Sequence, residues 1–141
     1  MAKQNPHIAD ILSLVLNGVT LPVDYGSTLY LRAHTADPGL SGDGTVSECT
    51  YTGYAAVSLV RDNTGTTGFS TTGTTRYNLV EKTFPQCTGV SDDETISHLS
   101  LNTAGTGAGR GIGKGALAAN IRVTYLATPR LVAGALTYQE A

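Results

Sequence analysis

"GTGAGRGIGKGA", Gly105 to Ala116, carries a glycine at every odd position from 105 to 115. Two folds are open to such a run. A phosphate-binding loop at the head of a helix would announce an α/β nucleotide-binding domain, whereas extended chain belongs to a β protein. A P-loop requires Gly, four residues, then Gly-Lys-Ser/Thr. Here Gly113-Lys114 is followed by Gly115, and Ala108 stands at the upstream glycine position, so the magnesium-binding hydroxyl is missing. A dinucleotide fingerprint matches formally at Gly111-Ile112-Gly113-Lys114-Gly115-Ala116. Its context fails, because Val123, Thr124 and Tyr125 downstream favour strand, and Arg130 and Leu131 stand where the ribose-binding acid belongs. The run therefore reads as a slack loop entering a Gly-Ala-Leu strand. One of its faces is bare, and a neighbouring backbone can approach it closely.

The flanking sequence has the same texture. "TLYLRAH" (Thr28 to His34) alternates Leu29, Leu31 and Ala33 with Tyr30, Arg32 and His34, the period of a half-buried strand. "YAAVSLVR" forms a second strand, entered through the bend Tyr51-Thr52-Gly53-Tyr54. "RYNLVEKTFP" reads as a third, ended by Pro85. "TISHLSLN" sets Ile96, His98 and Ser100 against Ser97, Leu99 and Leu101. "GKGALAANIRVTYLA" gives one or two more strands, and "PRLVAGALTYQEA" a last one. Between them lie the turn-rich loop Asp37 to Gly44 and the Gly/Thr stretch Asp62 to Thr75, in which Phe69 is the one core candidate. Six to eight short strands with no intervening helices predict an all-β fold, an antiparallel β-sandwich or jelly-roll-like domain.

One helix precedes this β region. Asn5 suits the N-cap, Pro6 the first turn and Gly18 the stop. Ile8, Ile11, Leu12, Val15 and Leu16 recur at helical spacing, while His7, Asp10 and Ser13 fall largely elsewhere. The expected packing rests this apolar stripe on the domain's own core, with docking on another subunit as the alternative. The chain is thus expected to be one domain, 1–141, with a helix over 5–18 and a β-sandwich over 28–141.

Composition narrows the function. Of 141 residues only 14% are charged, and the net charge is −2. The nine basic residues are scattered, which argues against nucleic acid as a partner. No stretch approaches the ~18 apolar residues of a membrane-spanning helix, and the N-terminus fails as a signal peptide, so synthesis in the cytoplasm is expected. Cys49 and Cys87 lack metal-site spacing and are expected to be reduced, partly buried thiols. Among His7, His34 and His98 none has a nucleophile partner. His34 is expected to end a strand while Asp37 caps the Asp-Pro-Gly turn, and His98 to be a hydrogen-bonded sheet residue. Asp92-Asp93-Glu94 lacks the ligand spacing of a calcium loop and the paired geometry of a glycosidase, and reads as a solvated turn. No residue is assigned a catalytic, cofactor-binding or metal-binding role, and the expectation is a protein that is not an enzyme.

The order of segments is more specific than any one of them. Leu29-Tyr30, His34 to Gly39, Gly53 to Ala55, Phe84-Pro85 and Gly115 to Leu117 follow an N-terminal apolar helix. This succession resembles a family of small tailed-bacteriophage virion proteins, from which the chain departs by a shorter, more glycine-rich approach to Gly-Ala-Leu. The resemblance implies a structural role in the virion. The leading expectation is capsid decoration, in which the protein, as a dimer or trimer, cements major capsid subunits on the outer shell. The alternative is a tail or tail-fibre component. The helix face, the Asp37 to Gly44 loop and the Asp62 to Thr75 stretch are the expected contact elements.

Overall fold

The computed structural model describes residues 1–20, 25–62, 64–71 and 73–139. A short strand β1 (Ala2–Lys3) leads into helix α1 (Asn5–Asn17), and the chain then runs through β2 (Thr28–His34) and β3 (Val57–Val60). Next come β4 (Thr75–Tyr77), β5 (Lys82–Thr83), β6 (Asp93–Asn102), β7 (Gly111–Thr124), β8 (Arg130–Leu131) and β9 (Thr137–Gln139). The main sheet is antiparallel, in the order β1-β7-β6-β2-β3, and two small ribbons, β4-β9 and β5-β8, accompany it. The all-β class with a single N-terminal helix holds.

Register explains where the core lies. Leu31 pairs with Leu101, Ala33 with Leu99 and Leu29 with Leu59, so one face of the sheet is aliphatic. Phe84, Leu131 and Leu136, from the ribbons and their connections, belong to the same buried cluster. Each such side chain contributes roughly 1.5–3 kcal/mol on leaving water. "RYNLVEKTFP" is not one strand, because it breaks around the buried Asn78. The Asn78 amide donates to the carbonyls of Val80 and Val132 and accepts from Leu136 N at 2.8 Å, which turns the chain from β4 toward β5. In β6 the expected alternation also slips. The ladder shifts between Ile96 and His98, where β7 passes from Ile121 to Ala116, and this brings Ile96 into the core with Leu99 and Leu101.

The second face of the sheet was expected to be solvated, and it is not. Arg32, His34, Ser100 and Asn102 share it, and all are buried beneath the loops that follow β2 and β6. Arg32 donates to Glu48 through two nitrogens, Nε at 2.8 Å, and to the carbonyls of Ala104 and Gly107. His34 meets the Val46 carbonyl at 2.9 Å and Ser100 Oγ at 2.7 Å. Burial holds the His34 imidazole below its usual pKa. Tyr54 adds a further link, its hydroxyl donating to Glu48 and accepting from Ala33 N. β2 is thus buried on both faces because this polar set is satisfied internally.

The glycine run divides in two. Gly105 to Gly109 bends, with Gly107 and Gly109 at positive φ, and β7 starts at Gly111. The bare face of the extended part is used. A Cβ on Gly111 would stand 2.5 Å from Gly42 Cα, and one on Gly113 would stand 2.7 Å from the Tyr138 ring. Gly111→Ala is therefore expected to cost about 1–3 kcal/mol through overpacking, measured by urea unfolding. An unchanged midpoint would show that the loop yields freely.

Candidate interaction surface

α1 begins one residue earlier than its capping pattern suggested. Gln4 occupies the N-cap in extended conformation and makes no side-chain cap hydrogen bond, while Gly18 ends the helix at φ 62°. The entry is set by backbone bonds, Gln4 N to Ile112 O at 3.1 Å and Asn5 N to Leu40 O at 3.0 Å. These tie the helix to the start of β7 and to the Asp37 to Gly44 loop.

The expected packing of the helix is inverted. Its one buried residue is Asp10, 1% exposed. The carboxylate accepts from Arg110 Nε at 2.7 Å and from the Tyr25 hydroxyl at 2.6 Å. Arg110 also donates to Pro6 O, and His7 Nδ1 lies 3.3 Å from the Tyr25 hydroxyl. The Arg110 guanidinium holds the Asp10 carboxyl below its ordinary pKa, against the opposing effect of burial. Burial together with the adjacent carboxylate pushes the Tyr25 phenol up to about 12.

With this polar side facing inward, the apolar stripe turns outward. Leu12 is 50% exposed, Val15 69% and Leu16 72%, and Ile8 and Val19 continue the line. The stripe does not rest on the protein's own core. His7 and Asp10, the only titratable residues of α1, point toward Tyr25, so the outward face carries no charge. Ile8, Leu12 and Val15 step by four and then three, the spacing of a coiled-coil seam. The lone acid Asp10 within an aliphatic stretch is the one trace of this in the sequence, and without its partners Arg110 and Tyr25 it does not fix the side that docks.

The other candidates fall elsewhere. The Asp37 to Gly44 loop is a cover for the body, since Gly44 N bonds Ala108 O and Asp37 pairs with Lys114. Asp37 also caps Gly39 N at 2.8 Å, as the turn reading expected, and does not pair with His34. The Asp62 to Thr75 stretch, in which Asn63 and Thr72 lie outside the described residues, is mostly exposed turn, with Phe69 half-buried and bridged to Asn78. His98 bonds Ser97 in the sheet. Asp92-Asp93-Glu94 lies at the surface, as expected, but is not simply a turn, because Asp93 and Glu94 open β6 and each acid has its own partner. Asp92 accepts from Thr52 N, Asp93 pairs with Arg122, and Glu94 accepts from Thr50 N and Tyr51 N. Cys49 and Cys87 are both free and buried, and burial raises the Cys49 thiol to about 12. Among the described residues no three His, Cys, Asp or Glu side chains converge as metal ligands, and no helix is long and apolar enough to cross a membrane.

The surface so described is an uncharged aliphatic helix face on a β-rich body. The family model described as Podophage GP4 fiber I protein gp80 matches residues 5–139. The chain belongs to this family. It is a phage virion structural protein, as the order of its segments implied, and the match spans both the helix and the sheet. A search of curated proteins returns no match.

Proposed function

We propose that this protein is a non-catalytic fibre component of the virion that assembles by packing α1 against α1 of another copy. The observation that carries the reading is the outward stripe Ile8-Leu12-Val15-Leu16, apolar, uncharged and spaced as a seam, on a helix whose polar side is fixed to the body. A neutral aliphatic face complements another such face, and no like charges oppose the pairing. The family's description names a fibre, which favours this role over cementing of the capsid shell, the leading expectation from sequence. Nothing in the geometry specifically favours the cement role.

Two measurements test the proposal. Sedimentation of the purified chain is expected to show a dimer or trimer, and the double variant Leu12→Asp/Val15→Asp a folded monomer whose melting temperature no longer depends on protein concentration. A wild-type monomer would overturn the helix-mediated assembly. Quantitative mass spectrometry of purified particles is expected to find few copies per virion. Hundreds of copies on the shell would replace the fibre by capsid decoration.

A further inference from the structure

A groove of about 810 Å³ opens between His7 and Ile11 of α1 on one side and Phe69, Ser70, Thr71 and Arg76 on the other. It is distinct from the outward helix stripe. Its floor is core, formed by Leu29, Leu101 and Ile112, and its walls include Ile11, Phe69 and Tyr138. Arg61 and Arg76 stand on its rim.

These two arginines are unlike the rest. Arg32, Arg110, Arg122 and Arg130 each pair with a carboxylate, namely Glu48, Asp10, Asp93 and Glu81. Arg61 and Arg76 have no carboxylate partner among the described residues. Arg61 donates to the Gly26 carbonyl and lies over the Tyr25 ring at 5.6 Å, and Arg76 donates to the Ser70 carbonyl at 3.1 Å. Each guanidinium has five N–H donors, so both keep donors for a ligand. Among the described residues the one acid lining the groove is Asp62, whose hydrogen bonds stay within its own loop and whose charge offsets part of that of the two arginines. It accepts from the Thr67 hydroxyl at 2.6 Å and from Thr64 N. An apolar trough lined by two guanidinium groups and one carboxylate keeps a net positive charge and selects an apolar body carrying an acidic head, since Arg binds carboxylate, sulfonate and phosphate alike through paired donors.

We propose that this groove is a binding site for an anionic amphiphile, an aliphatic chain or ring system ending in a single acidic group. The site does not depend on the fibre reading, and its occupant is a free molecule in solution. Isothermal titration with decanoate, below its micelle concentration, tests it on the full chain. Saturable single-site binding is expected, weakened by salt. Decyltrimethylammonium, of equal chain length and opposite charge, is expected to bind at least about tenfold more weakly, as is decanoate to Arg61→Gln or Arg76→Gln. Ile11→Trp, which fills the trough from the helix wall, is expected to abolish binding, with circular dichroism melting used to confirm that each variant folds. Equal affinity for the two head groups would overturn the proposal, as would failure to saturate or indifference to both arginine variants. Co-sedimentation with anionic phospholipid vesicles in the absence of decanoate binding would also overturn it, in favour of a membrane surface.

Discussion

Arg32→Met is expected to destabilise the fold by about 3–5 kcal/mol, the usual cost of removing one partner from a buried ion pair. Arg32 is 1% exposed and Glu48 17%, so the stranded carboxylate has little access to water and, among the described residues, keeps the Tyr54 hydroxyl as its side-chain donor. Two backbone carbonyls, of Ala104 and Gly107, lose their donor as well. Urea unfolding at neutral pH measures the loss. The double variant Arg32→Met/Glu48→Leu removes both charges, and apolar replacement of a whole buried pair is often tolerated. It is expected to regain part of the loss and not all of it, because the two carbonyls remain without their donor. A single variant within about 1 kcal/mol of wild type would show that the pair is not structurally important.

Asp10→Ala is expected to cost about 2–3 kcal/mol and to loosen the C-terminal part of α1, beyond the entry that its backbone bonds still hold. Charge-assisted hydrogen bonds of this kind contribute about 1.5–3 kcal/mol each, and the discount comes from Arg110, 31% exposed, which can turn to water. The apolar stripe faces outward and cannot hold the helix in place. Limited proteolysis is therefore expected to cut after the helix in the variant and not in wild type. The pH dependence has a definite sign. Asp10 has a lower pKa folded than its ordinary value of 3.8, so its contribution is complete above that value and is lost as the pH falls through the lowered pKa. Asp37, Asp43, Asp62, Asp92 and Asp93 are lowered too, so acidification alone does not isolate Asp10. The informative quantity is the difference between wild type and variant, which is expected to shrink below pH 3.8. A constant difference down to pH 2 would remove the Asp10–Arg110 pair as its source.

Much of the architecture was legible because strand periodicity and turn residues are local. The alternation in "TLYLRAH" located β2, and Gly18 located the end of α1. The failures share a cause. The break of "RYNLVEKTFP" depends on Asn78 finding partners at Val132 and Leu136, more than fifty residues away in sequence. The place of Ile96 depends on an irregularity in β7, its neighbour in the sheet. The expected solvation of Arg32 and His34 ignored two loops whose position no local pattern encodes.

The candidate surface shows the same division. Sequence identified an amphipathic helix, a β-rich body and a phage structural family, because each rests on spacing, composition or segment order. It could not say which side of the helix faces in. Hydrophobicity alone assigns the aliphatic stripe to the core, and that assignment fails once Asp10 meets Arg110 and Tyr25 across intervals of 100 and 15 residues. An acid held by a guanidinium and a phenol can be buried, and burying it commits the opposite face of a rigid helix to solvent. The glycine run behaves likewise. Its own residues exclude a phosphate loop and predict a bare face, whereas only the fold shows that Gly42 and Tyr138 are the neighbours that use it.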